Sequence, residues 1–246
     1  MSTPSVLPIA DFPVRVLTAD MLAGGLLEVI EQREKIALFY ANTNFVMQCR
    51  SLLPRMQDDS VVIVNDGIGL DLASMMVHRQ KFLENLNGTD FTPYLLSRAG
   101  CPLRIFLLGG RPRALAKAEE HVRSRLGQHV VGTQDGYGDL NHPDLIARIN
   151  QAQPDIVLVA LGNPIQERWI LDNRDQLQVP LMMGVGALFD FWAGEKSRAP
   201  KLVQRLKLEW LYRLVLEPRR LMRRYTVDIV AFFMLCYRRR RHASHI

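Results

Sequence analysis

The chain has 246 residues, 48% hydrophobic and 23% charged, which is enough apolar content to bury a full core and too much for a disordered segment. The formal net charge is +6, yet Lys196 to Ile246 hold fourteen of the thirty-one Lys and Arg against three acids, so this tail carries +11 and the preceding 195 residues −5. Such a division predicts an acidic-to-neutral body with a basic device for a phosphate-rich partner (nucleic acid, an anionic membrane or a nucleotide), while three scattered cysteines, Cys49, Cys101 and Cys236, argue against a disulfide framework and suit a reducing cytoplasm.

The chain opens with MSTPSVLPIADFPV, which lacks a charged segment leading into an apolar run, so it reads as a short edge strand rather than a secretory signal. Apolar, strand-sized runs then recur: KIALFYA before Asn42, SVVIVN before Asp66, PLRIFLLGG, QHVVGT, PDIVLVALG and VPLMMGVG. Helix-sized segments separate them, so the pattern predicts βαβ units and a Rossmann-like, mostly parallel α/β sheet flanked by helices. Between the third and fourth of these runs Leu115, Ala118 and Val122 share one helical face and Lys117, Glu120 and Arg123 the other, as in a helix covering a sheet. Asn141 is the expected cap of the helix HPDLIARIN.

The domain division expected is 1–195 for the Rossmann-like body and 196–246 for a basic helical appendage that binds substrate phosphate and membrane. Within the appendage, Val227 to Tyr237 is an eleven-residue apolar stretch containing Asp228, well short of the roughly 20 residues needed to span a bilayer. It runs into Arg238 to Arg241, a composition suited to a helix lying on an anionic lipid surface or to a core helix with a solvated basic end.

In an open α/β sheet, ligands bind beyond the carboxyl ends of the strands, which singles out the residues just after each run. These are Asn42 to Asn44, Asn65 to Gly67, Gly109 and Gly110, Asp135 to Tyr137, Gly162, Asn163, Gln166, Gly184 and Gly186. Asp66 stands where a general base would be put, or where an Asx turn or helix cap would be. Gly109 and Gly110 could face a phosphate or only make a tight turn; neither the G-x-G-x-x-G nor the GxxxxGK[ST] spacing is present, so NAD and P-loop chemistry are not favoured. Asn163 and Gln166 offer neutral hydrogen bonds to sugar hydroxyls, or belong to a capped helix. The six histidines form no metal-ligand pattern and no DxD-like acidic pair closes a strand, so neither a metal nor any other cofactor is expected. Arg213, Arg220 and Arg223 are spaced to share a helix side despite Pro218, as a diphosphate clamp or as a solvated or lipid-facing surface.

NTN (42–44), NDGIG (65–69), NGTD (87–90), LLGG (107–110), ALGNPIQE (160–167), GVGALFDFWAGEKSRAP (184–200) and EWLYRLVLEPRRLMRRY (209–225) make the chain resemble the WecG/TagA/CpsF family of bacterial glycosyltransferases, and among them the xanthan-type β-1,4-glucosyltransferases. The resemblance implies inverting, metal-independent transfer from a UDP-sugar donor to a polyprenyl-diphosphate-linked sugar in exopolysaccharide assembly. It implies UDP-glucose as leading donor, with UDP-N-acetylmannosamine or its uronic acid as the alternative, and a peripheral position on the cytoplasmic face of the inner membrane. It places Asp66 as the base, and Asn42, Asn44, Gln166, Arg198, Arg213, Arg220 and Arg223 in substrate binding. Two residues depart from the family pattern: Asn42, where some relatives have Thr, and Asn85, where many have Arg. Partners expected are therefore the UDP-sugar, the lipid-linked acceptor and an anionic membrane surface, with a homo-oligomer left open. Nucleic-acid binding by the arginine tail is the competing class and predicts salt-sensitive affinity without use of the strand-end residues.

Overall fold

The computed structural model describes residues 5–140, 142–200, 202–203 and 208–243. Every apolar run becomes a strand: β1 (Val6–Ile9), β2 (Phe12–Arg15), β3 (Ile36–Ala41), β4 (Val61–Asn65), β5 (Arg104–Gly109), β6 (His129–Gln134), β7 (Ile156–Ala160) and β8 (Leu181–Gly184). They form one eight-stranded sheet in the order β1-β2-β4-β3-β8-β7-β5-β6. Only the β1–β2 hairpin is antiparallel, and β1 is an edge strand, as its short apolar run predicts. The central strands β4 and β7 are buried at every residue, because parallel strands with helices on both faces have no solvent side.

Helices α1 (Ala19–Gln32), α2 (Thr43–Gln48), α3 (Ile68–His78), α4 (Gly88–Arg98), α5 (Pro112–Ser124), α6 (Pro143–Ala152) and α7 (Ile165–Asn173) connect the strands, and α8 (Leu188–Trp192) follows the last of them. Strand alternation sorts the core into two layers. Leu38 and Tyr40 of β3 pack with α1, α4, α5 and α8 residues such as Leu26, Leu95, Ala118 and Phe189. Phe39 and Ala41 face the opposite layer with Phe45, Leu70, Ile149 and Ile170 from α2, α3, α6 and α7. Leu115, Ala118 and Val122 are the buried face of α5, as their spacing predicts.

Local chemistry sets the helix ends. Thr18 caps α1 by accepting from the Met21 amide at 3.2 Å, and Asn87 caps α4 by accepting from the Asp90 amide at 3.0 Å. Helix α6 corrects one expectation: its cap is His142, whose Nδ1 accepts from the Asp144 amide at 3.2 Å, whereas Asn141 lies outside the described residues. Pro143 explains the shift, since proline is best tolerated at the first helical position, where its missing N–H needs no partner, and this makes the preceding residue the cap.

From Glu209 to Ala243 the basic tail is almost wholly helical. Helix α9 (Glu209–Leu216) stops before Pro218, which restarts the chain as α10 (Pro218–Arg223); a π-helical turn, Arg224–Asp228, leads into α11 (Ile229–Ala243). Trp210 and Tyr225 meet edge to face at 5.7 Å and hold α9 against the π turn. Helix α11 then returns to the body. Phe232 and Cys236 are buried in the same layer as Phe12, Phe45 and Leu70, and Arg239 pairs with Asp11 at 3.2 Å. The other side of the segment exposes Val227, Val230, Met234 and Tyr237, an apolar stripe at intervals of three and four. No helix among the described residues is long and apolar enough to cross a membrane.

Candidate active site

A cleft of about 910 Å³ opens over the carboxyl ends of β3, β4, β7 and β8, where the loops after parallel strands converge. Asn42, Asn44, Asp66, Gly162, Asn163, Gln166, Gly184 and Gly186 line its sheet side, and Arg198, Arg213, Leu221 and Arg223 line the side supplied by the tail. A second lobe of about 660 Å³ continues over β5, β6 and β7, lined by Gly110, Arg111, Gly136, Tyr137 and Asp190, and shares Gly162, Gly186, Glu195, Lys196 and Glu217 with the first. Most of the strand-end residues singled out in the sequence thus line one two-lobed site, whereas Thr43, Asn65, Gly67, Gly109 and Asp135 are not in its lining.

Asp66 follows the last residue of β4, and its amide donates to the Ala41 carbonyl at 2.7 Å, so the carboxylate is presented from a strand end rather than a mobile loop. Asn42 does two things. Its Oδ1 caps α2 by accepting from the Phe45 amide at 3.1 Å, and its Nδ2 donates to Asp66 Oδ2, also at 3.1 Å. Asn85 does not reach the cleft lining; its Oδ1 accepts from the Gly67 amide at 2.6 Å and steadies the turn beside Asp66. Gly67 needs that freedom, with φ at +88°, to turn β4 into α3. Tyr40 lies under this corner, its hydroxyl pushed well above the usual tyrosine range by burial.

Asn44 Nδ2 donates to Asn163 Oδ1 at 3.3 Å. Gln166 is 3% exposed and braces two loops, its Oε1 accepting from the amides of Gly162 at 3.2 Å and Gly186 at 2.9 Å. Its Nε2 and Asn163 Nδ2 both donate to buried Glu167. Burial pushes the Glu167 carboxyl above its ordinary range, against the hydrogen bonds from Gln166, Asn163 and Cys49 that favour the charged form. The β5 turn is packed tightly enough that a Cβ on Gly109 would sit 2.4 Å from the Ala160 carbonyl oxygen, and Gly109 has φ +111°. The backbone can come that close only as glycine.

The arginines take different positions. Arg198 forks onto Asp90 of α4, with Nη1–Oδ1 at 2.7 Å and Nη2–Oδ2 at 2.9 Å, and lies 3.6 Å from Glu209, so it straps the tail across the cleft mouth. Burial works to raise the Asp90 carboxyl, but the bonds from Arg198 and Asn87 outweigh it and hold it below the ordinary range. Arg213 places its guanidinium 5.7 Å from the centre of the Phe191 ring, and Arg223 on the next helix faces the same space, its Nε 3.9 Å from Asp228. The Arg220 side chain lies outside the described residues. Among the described residues no three His, Cys, Asp or Glu side chains gather as a metal cluster.

Sequence reasoning missed Lys196, Asn87, Glu209, Arg111 and the hub Glu167. Arg111 follows the Gly109-Gly110 pair and Glu167 follows Gln166, so both adjoin positions already singled out. Lys196, which pairs with Asp190 at 2.8 Å, enters only because the loop after α8 folds back over the strand ends.

Across residues 7–245 the chain matches the model of a glycosyl transferase family, WecG/TagA/CpsF.

Proposed function

Because the chain belongs to the WecG/TagA/CpsF family of glycosyl transferases, we propose that the two-lobed cleft carries out inverting, metal-independent transfer of a hexose, glucose from UDP-glucose, to a polyprenyl-diphosphate-linked sugar in exopolysaccharide assembly. The observation that carries this reading is the pairing of one carboxylate, Asp66, held by Asn42 on the sheet side, with Arg213 and Arg223 on the opposite wall. The glycine-lined lobe beside Arg111 and Tyr137 suits the nucleoside end of the donor, because glycine lets a ligand approach the backbone closely and Tyr137 offers an exposed ring. The larger lobe, which Asp66 and the arginines line, takes the donor's diphosphate end and the acceptor.

In this mechanism Asp66 accepts the proton of the acceptor hydroxyl as its oxygen forms the bond to the donor's anomeric carbon. The bond from that carbon to UDP breaks in the same displacement, which inverts the centre, and Arg213 and Arg223, with Arg220 from the same tail, balance the charge gathering on the leaving diphosphate. Asn42 keeps the carboxylate aimed and Asn44 and Gln166 shape the floor. The body, 1–195, supplies the base, and the appendage, 196–246, supplies phosphate binding and the lipid-facing stripe Val227, Val230, Met234 and Tyr237, beside Arg238 and Arg239. On this reading the enzyme works peripherally on the cytoplasmic face of the inner membrane, at the headgroup level where a lipid-linked diphosphate lies.

The test is a donor screen with a synthetic lipid-diphosphate monosaccharide acceptor. UDP-glucose should give β-linked disaccharide product. Transfer from UDP-N-acetylmannosamine or its uronic acid instead would overturn the glucosyl assignment, and no transfer from any donor would overturn the enzyme reading.

A further inference from the structure

The amides flooring the cleft share a partner that faces away from it. Glu167, in the first turn of α7, is fully buried, at 0% exposure. Its Oε1 accepts from Asn163 Nδ2 at 2.6 Å and from Gln166 Nε2 at 2.8 Å, and its Oε2 accepts from the Cys49 thiol at 3.5 Å. The side-chain donors are two amides and a thiol, joined by a backbone N–H, with no cation among them. A buried carboxylate held only by neutral groups is an expensive way to fill core space, so its acceptor geometry is the property to explain.

That geometry fixes direction. An asparagine or glutamine can turn either its oxygen or its NH2 toward a ligand, but a carboxylate is acceptor-only and accepts only the NH2 end. With both NH2 groups committed to Glu167, the two oxygens must point elsewhere. Asn163 Oδ1 accepts from Asn44 Nδ2, and Gln166 Oε1 accepts from the Gly162 and Gly186 amides. One carboxylate thereby links the segments that follow β3, β7 and β8, and through Cys49 the far end of α2.

Resting on the glycosyl-transfer reading above, we propose that Glu167 is a positioning residue for the reaction: its carboxylate sets the orientation of the Asn163 and Gln166 amides and, through Asn163, of Asn44 on the cleft floor. A glutamine in its place offers one acceptor oxygen and a competing NH2 group. Bonds to its neutral oxygen are about half as strong as those to a carboxylate, so the two amides are held loosely and turn over, pointing a donor where the native floor points an acceptor, while Asp66 and the arginine wall are untouched.

The experiment uses full-length protein, the lipid-linked acceptor and the donor found by the screen, with UDP alone as the binding probe. E167Q should keep UDP affinity within about threefold and lose about tenfold or more in kcat, the scale expected when a group is misplaced rather than removed. E167D, which restores the charge, should recover part of that loss. In a double-mutant cycle with Asn44→Ala, the double variant should lose little more than the worse single variant, since both act along one hydrogen-bonded chain. Wild-type kcat in E167Q, or losses that multiply in the double variant, would overturn the proposal. Should E167Q fail to fold, E167D decides: a lowered kcat with unchanged Tm supports the role, and wild-type kcat overturns it. Failure of the parent reading looks different, because the wild-type protein then transfers from no donor.

Discussion

Helix α11 should be anchored by a single aromatic, and Phe232→Ala tests it. Phe232 is 0% exposed, meets Phe233 edge to face at 5.1 Å and joins the core layer that contains Phe45 of α2. Truncating a fully buried phenylalanine costs about 3–5 kcal/mol from lost transfer free energy and the cavity left behind. For a protein of this size each kcal/mol lowers Tm by about 2–4 °C, so the midpoint should fall by about 6–20 °C. Met234, two residues on, is 51% exposed on the opposite stripe, and Met234→Ala should stay within about 0.5 kcal/mol of wild type. Thermal unfolding by circular dichroism on both variants, without lipid, makes the comparison. A Phe232→Ala midpoint within about 2 °C of wild type, well under the range expected for so large a loss, would refute the docking of α11. Liposome flotation separates the other face: Met234→Ala should bind anionic vesicles more weakly although its stability is unchanged.

Asp66→Asn should retain UDP affinity and lose about 100-fold or more in turnover, the scale for removing a general base, and equal turnover would remove Asp66 from that role. Activity should survive EDTA, because the proposed mechanism has the arginine wall rather than a divalent ion balance the leaving diphosphate; complete loss restored by Mg²⁺ or Mn²⁺ would show otherwise. Truncation after Ser197 removes Arg213, Arg220 and Arg223 and should abolish transfer even to a water-soluble short-chain acceptor, whereas an active truncation would reduce the tail to an anchor. Asp90→Asn breaks the Arg198 strap. Since the folded Asp90 carboxyl titrates below its unfolded value, its contribution is complete above the unfolded value and disappears as pH falls through the folded one. The stability gap between Asp90→Asn and wild type should be about 1 kcal/mol or less near neutrality, given the partial exposure of the pair, and should close as pH falls below about 5; a gap constant from pH 7 to pH 3 would exclude the mechanism.

Local pattern alone specified much of this protein. Buried runs with helix-sized spacers determined the parallel sheet, and the carboxyl-end rule then placed Asp66, Asn44 and Gln166 at one rim without knowledge of any contact. Periodicity of apolar residues assigned the buried face of α5, and Pro218 marked the break between α9 and α10. Tertiary structure decided the pairings across distance. The resemblance assigns Arg198 to substrate binding, yet its fork is taken up by Asp90, 108 residues away. Asn85 stands where many members of the family have an arginine, and only the fold shows its side chain turned to the Gly67 amide. Val227 to Tyr237 reads as lipid-facing ahead of core, yet its sequence leaves both open, because hydrophobicity records that a face leaves water and not what covers it. The stacked elements bury Phe232 and Cys236 and leave Val227, Val230, Met234 and Tyr237 exposed. Glu167 carries the same lesson: in sequence it is an ordinary acid in a helix's first turn, and its role arises because α7 sinks beneath the strand ends and turns that carboxylate into the shared acceptor for the cleft floor.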